Sequence, residues 1–337
     1  MSRQFIYDII YALAARDGRE AALFGASAPA AHEAFERSLA GKGFPELWFE
    51  VPLAGDPWFD LHALASRSEL APGMEFSADE TGGFPGVFAW FAAQDKSIVR
   101  QLALSYDTGR GDAEHPAVQL LLWKRDVEMT CGFLEAAGRP DAVSAYRAFE
   151  GRIPEGWFAC YTGVFPGRPE KTLRVECIPD ESLQAAYADD RALLEAHLRQ
   201  AGLRDLGDTL VDCCQLFART PFKLEFQFDV EPDGSAGVTF SASVRFASPS
   251  GEDDWQPFEA DGEAGELMEQ VEAWGLADDR WRLFPDATYA VRVRRGNTDV
   301  TAFNFPAFLK LRWRAGETVD AKAYFLAGIH QSEEVIQ

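Results

Sequence analysis

Charged residues that alternate with apolar ones in short β-type runs carry the chemistry of this sequence. Arg174 stands in LRVECI, Lys223 in FKLEFQF, Lys310 and Arg312 in FLKLRWR (with Arg314 in the same phase), and Lys322 in AKAYFLA. Successive residues of a strand point to opposite faces, so each cation lies on the face away from its apolar neighbours. There it could neutralise an anion or the charge developing on a leaving group. The same positions also suit a solvated strand face, ion-paired to Glu176 and Glu225. Tyr324 shares a face with Lys322, and Tyr161 lies in another alternating run. A ring face attracts a cation by about 1–2 kcal/mol once desolvated, whereas Trp48 and Trp58 serve equally well as packing. Trp48, Glu50, Asp60 and His62 belong to one further unit. A carboxylate there, Glu50 first, could remove a proton from an acceptor.

Other chemistries lack their motifs. The five histidines, His32, His62, His115, His197 and His330, show no H-E-x-x-H or other close ligand spacing. There is no G-x-x-x-x-G-K-[ST] and no G-x-S-x-G. The doublets Asp189–Asp190, Asp253–Asp254 and Asp278–Asp279 do not continue as D-D-x-x-D, and read as solvated helix or loop. No dedicated metal site is expected; Mg²⁺ could still be held mainly through substrate phosphates.

The elements that must position these residues repeat. Residues 45–64 alternate, turn on Gly-Asp-Pro, and alternate again, which is a hairpin. The unit returns at 98–124, at 157–178, at 221–246 with Pro-Asp-Gly between its runs, and at 303–327. Between the hairpins, residues 84–95, 126–149, 180–217 and 262–275 repeat apolar positions at helical spacing; the long third stretch predicts two helices broken around Gly202 to Asp208. Each hairpin has an apolar face, such as Leu47, Phe49, Val51 and Leu53, or Leu224, Phe226 and Phe228. Helices can cover that face. The opposite, polar face would meet water in an open sheet, or surround a lumen if ten strands close into a barrel. With no linker between halves, the chain reads as one α+β domain over 1–337, with an N-terminal helical segment at 1–44 and the hairpin array at 45–330.

Composition sets the outer bounds. The 337 residues hold 32 Lys+Arg against 54 Asp+Glu, a net charge of −22, which excludes a basic nucleic-acid-binding face. No run of eighteen apolar residues predicts a membrane span. Asp8 interrupts FIYDIIYALAA, which reads as an amphipathic first helix rather than a signal peptide. Five cysteines without C-x-x-C suit reduced, buried thiols and a cytoplasmic protein.

A ring of hairpins wrapped by helices resembles the αββα-barrel (ABBA-type) prenyltransferases, and from about 98 to 327 it is most similar to the cyanobactin peptide prenyltransferases. The residues carrying this are TGVFPGRPEKTLRVECI with Gly163, Arg168 and Arg174, the helical stretch leading to LEFQFDV and SASVRF, and the closing hairpin ending in KAYFLA. The resemblance implies a closed ten-stranded antiparallel barrel. It further implies transfer of an allylic group, dimethylallyl by analogy, from an isoprenyl diphosphate to a peptide side chain. A free indole or phenolic acceptor is the alternative, and a non-catalytic peptide- or protein-binding module the reading from another class. On this view Arg174, Lys223, Lys310, Arg312 and Lys322 hold the diphosphate. Tyr161 and Tyr324 shield the allylic cation, Glu50 with Tyr324 is catalytic, and Trp48, Asp60 and His62 face the acceptor. No organic cofactor is implied, and Mg²⁺ only through the diphosphate. Two positions depart from the family pattern: Gln101 where an acid acting on the acceptor is expected, and Gln119 where a basic residue should face the diphosphate. Glu50 could replace the acid missing at Gln101.

Overall fold

The structure is a computed structural model that describes residues 22–23, 46–65, 83–107, 112–166, 173–246, 258–295 and 298–331. Except for 22–23, the expected N-terminal helical segment lies outside these residues, as does Arg168. Strands β1 (Glu46–Pro52) and β2 (Asp60–Ala65) form the first hairpin. The next three are β3 (Val99–Asp107) with β4 (Asp112–Leu122), β5 (Trp157–Val164) with β6 (Leu173–Pro179), and β7 (Lys223–Val230) with β8 (Ala236–Arg245). After β9 (Tyr289–Arg295) come β10 (Thr298–Arg314) and β11 (Glu317–Gln331), the fifth hairpin. All pairings are antiparallel, and β11 bonds back to β1, so β1–β8, β10 and β11 close a ten-stranded barrel. An open sheet is thereby excluded.

Strand β9 was not anticipated from the hairpin pattern. It pairs with the first part of β10, at 298–304, while β8 pairs with the last part, at 308–314. The change of neighbour falls at Pro306, which has no N–H to give a ladder, and at a register shift before Phe308.

Helices cover the outside. They are α1 (Pro85–Ala93), α2 (Val127–Ala136), α3 (Asp141–Glu150), α4 (Glu181–Asp189), α5 (Arg191–Gln200), α6 (Asp208–Arg219), α7 (Glu263–Ala273) and the single turn α8 (Phe284–Ala287). The stretch 126–149 is two helices rather than one, separated around Gly138, whose φ of +71° suits the glycine. The stretch 180–217 is three helices rather than two. Asp180 and Asp190 each cap a helix, accepting from Leu183 N at 2.8 Å and Leu193 N at 2.9 Å. Asp278 likewise accepts from Arg280 N at the head of a 3₁₀ turn. Two of the three acidic doublets are thus partly explained as caps; Asp253–Asp254 lies outside the described residues.

The main core lies between the barrel wall and the helices. Leu224, Phe226 and Phe228 of β7 are fully buried there with Phe149 of α3, Tyr187 of α4 and Phe217 of α6. The β7–β8 turn is pressed against α3: a Cβ at Gly234 (φ +75°) would lie 2.4 Å from Cβ of Ala148. The strands' other face is polar and lines the lumen.

Candidate functional site

The lumen is a cavity with about 1230 Å³ of space, its mouth included. Of the residues expected from the sequence, Trp48, Glu50, Asp60, His62, Tyr161, Arg174, Lys310, Arg312, Lys322 and Tyr324 line it. Lys223 has the right phase but is the exposed first residue of β7, outside the lining. Arg314 is exposed at the far end of β10 and is also outside it.

Register brings the first cluster together. Lys310 and Lys322 are direct cross-strand partners on β10 and β11, and Glu50 on β1 stands opposite Tyr324 on β11. Like charges placed opposite repel, and Glu50 resolves this. Its Oε1 takes Lys310 Nζ at 2.9 Å and Lys322 Nζ at 3.1 Å. Lys322 also reaches Asp60 Oδ2 at 3.6 Å. His62 Nε2 lies 3.2 Å from Glu50 Oε2, and its Nδ1 lies 2.5 Å from Ser105 Oγ. One tautomer, with the proton on Nε2, satisfies both contacts. Burial by itself would raise the Glu50 carboxyl, but the two ammonium groups and His62 outweigh it and hold Glu50 well below the ordinary carboxylate range. Burial, with Lys322 and Arg174 nearby, lowers Lys310 despite Glu50.

Aromatic rings wall this cluster. Lys310 donates to the Tyr324 hydroxyl and sits 4.7 Å from that ring's centroid, while Lys322 sits 4.7 Å from the ring of Trp58. Trp48, Phe308 and Tyr324 form a continuous surface, with centroids 4.9 Å apart for Trp48–Phe308 and 6.0 Å for Phe308–Tyr324. The buried Nε1 of Trp48 has no hydrogen-bond partner among the described residues. Tyr161 arrives by a bulge. Trp157 and Ala159 pack outward, and the register shift between Ala159 and Tyr161 turns the tyrosine into the lumen. Burial first, then nearby carboxylates, keep both tyrosine hydroxyls protonated well past their usual range.

Arg174 completes the cationic wall, its Nε 2.8 Å from Asp229 Oδ1 and its guanidinium 4.9 Å from the Phe165 ring centroid. Arg312 pairs with Asp320. A second cluster surrounds Glu225, which takes Arg245 at 2.5 Å. Burial, with the adjacent charge of Glu225, pushes Glu176 well above the carboxylate range, and Gln227 Nε2 donates to it at 2.9 Å. Burial and Arg245 lower Arg100. Arg100 and Arg245 are cavity residues that sequence reasoning missed. Arg245 could have been found, since it keeps step with Ser241 and Ser243 in SASVR. Arg100 is hidden by a register shift between Val99 and Gln101, which lets Arg100 and Gln101 both line the lumen. Gln119 lines it too, and Gln101 donates to Glu46 at 2.9 Å.

The lining holds six cationic side chains (Arg100, Arg174, Arg245, Lys310, Arg312, Lys322) against five acids (Glu50, Asp60, Asp107, Glu176, Glu225). Asp229 and Asp320, just behind the lining, pair with Arg174 and Arg312, so the lumen is a set of buried ion pairs within a protein of charge −22. Among the described residues no three His, Cys, Asp or Glu side chains converge as metal ligands. Glu50 and Asp60 are both turned to Lys322. All five cysteines are buried and unpaired with one another. No described helix is long and apolar enough to cross a membrane.

No protein-family model matches the chain, and no curated protein matches it. Among solved structures it is similar to a 6-dimethylallyl tryptophan synthase, at 15% identity and a TM-score of 0.49, covering 84% of this chain and 80% of that one. A likeness so distant leaves the chemistry to the cavity's own residues.

Proposed function

We propose that the protein transfers a short allylic group, dimethylallyl first, from its diphosphate to a nucleophilic acceptor, and that the acceptor is a peptide side chain. The observation that carries the donor half is convergence. Arg174, Lys310 and Lys322 line one lumen with Tyr161, Tyr324 and Trp48, instead of scattering over an open sheet as a simple binding module would allow. As the allylic carbon–oxygen bond breaks, its electron pair leaves with the diphosphate, and these three cations offset the charge. Prearranged groups of this kind contribute about 2.7–4 kcal/mol each where measured. The rings of Tyr324, Tyr161 and Trp48 shield the allylic cation from water and stabilise it through their faces. The acceptor's electron pair then forms the new bond to carbon, and Glu50 takes the displaced proton. Mg²⁺, if used, would ride on the diphosphate oxygens.

The peptide acceptor rests on the sequence resemblance. A free indole would use the same donor site. Incubation with dimethylallyl and geranyl diphosphate, each against a peptide panel and a set of indoles and phenols, tests both halves by product mass. Prenylated peptide supports the proposal, prenylated indole alone moves it to the small-molecule acceptor, and no product with any pair overturns it.

A further inference from the structure

Within the donor site, Glu50 and the anion-binding lysines are the same structural unit. One oxygen, Oε1, receives both ammonium groups, at 2.9 and 3.1 Å, and the other faces His62 at 3.2 Å. A carboxylate so occupied is a poor base, because two ammonium groups fill Oε1 and their charge, with the His62 contact on Oε2, favours the ionised form. The lysines that a diphosphate needs are likewise engaged. Neither role can be filled while the unit is closed.

Resting on the prenyl-transfer reading, we propose that donor binding itself switches on the base. The diphosphate draws Lys310 and Lys322 off Glu50 Oε1, and only then can Glu50 accept the acceptor's proton. The exchange has a physical direction. A polyanion competes for ammonium groups better than one carboxylate does, and its charge beside Glu50 favours the protonated acid. The other groups facing Glu50 do not cancel this. Asp60 on β2 is a further acid beside Lys322, His62 on β2 stays on Oε2 with Ser105 behind it, and Tyr324 on β11 and Tyr161 on β5 remain protonated. Arg174 on β6 is held by Asp229. In the transfer step the allylic C–O pair leaves on the diphosphate, the acceptor pair bonds to carbon, and the acceptor proton goes to Oε1. Binding is therefore ordered, donor before acceptor, and an acceptor that arrives alone meets a locked carboxylate.

The test uses inorganic pyrophosphate and no acceptor. Titration calorimetry at about pH 6, in two buffers of unlike ionisation enthalpy, gives the protons taken up on binding. At this pH wild type should take up more protons than Glu50→Gln, because the freed carboxylate is more basic, while at higher pH the same carboxylate stays ionised and open to the acceptor's proton. Glu50→Gln should bind pyrophosphate about tenfold more tightly, roughly 1.4 kcal/mol, because its lysines are released in advance. If Glu50→Gln does not melt cooperatively, Glu50→Asp, too short to span both lysines, should shift affinity the same way by a smaller factor. Equal proton counts, or no gain in affinity, overturn the switch while leaving the donor site intact. No pyrophosphate binding by wild type overturns the donor site and the switch together.

Discussion

Replacing Arg174 by Met separates anion binding from structure. The guanidinium is 14% exposed and its partner Asp229 12%, at 2.8 Å. Methionine keeps the apolar stem and removes the charge. If Arg174 holds a diphosphate oxygen, the variant loses a charge-assisted hydrogen bond of about 1.5–3 kcal/mol. That weakens pyrophosphate binding by roughly ten- to hundredfold. The same change strands Asp229. Breaking a fully buried pair costs about 3–5 kcal/mol; partial exposure reduces this, so a melting-temperature drop of several degrees is expected. Arg174→Met combined with Asp229→Asn removes the stranded charge and should recover most of the melting temperature but none of the affinity. Calorimetric titration beside a thermal melt reads both quantities. Unchanged affinity in the single variant would refute a donor role for Arg174. Recovery of affinity in the double variant would show that the arginine acts only by pairing Asp229.

Tyr324→Leu should lower prenyl-transfer turnover about tenfold for each 1.4 kcal/mol of lost ring–cation attraction, with donor affinity nearly unchanged; rapid-quench assays giving equal rates would remove the ring from the mechanism. Glu176 has a folded pKa above its ordinary 4.5, from burial and then Glu225, so its stabilising effect is full below that value and is lost as pH rises. Glu176→Gln should accordingly melt higher than wild type at pH 8 and not at pH 4. Glu50 has the opposite sign: its stabilisation is present above 4.5 and is lost as pH falls through its lowered value, so Glu50→Gln should flatten acid unfolding. Burial raises every cysteine thiol, Cys213 to about 12, so native protein should resist alkylation at pH 8 and release five reactive thiols only on unfolding.

The barrel was legible because its rule is local. A period of two with an apolar face announces each hairpin wherever it falls, and Leu224, Phe226 and Phe228 obey it. Helix ends were less legible. Asp190 looks like half of an acidic motif and is a cap, a role set by backbone angles of −110° and 88° that composition does not reveal. The lumen residues divide in the same way. Lys310, Lys322, Glu50 and Tyr324 keep strict phase and were found; Arg100 and Gln101 share the lumen across a register shift, which strict alternation forbids. Phase also overreached at Lys223, because alternation gives the face but not the depth along the barrel.

Charge pairing was the feature least visible in the sequence, and it decides how the site can work. Arg245 with Glu225 and Arg312 with Asp320 pair within single hairpins and Arg174 with Asp229 across consecutive ones, whereas both lysines meet Glu50 only through the β11–β1 closure. Burying six isolated cations would be prohibitive, so the barrel closes only with counter-ions in place. An arriving diphosphate therefore exchanges partners instead of filling an empty cationic well. Its affinity is then a difference between two sets of ion pairs, and the acid that serves two lysines at once has the largest part in that difference. That acid is Glu50, which makes the proton acceptor of the proposed reaction and the gatekeeper of its donor site a single carboxylate.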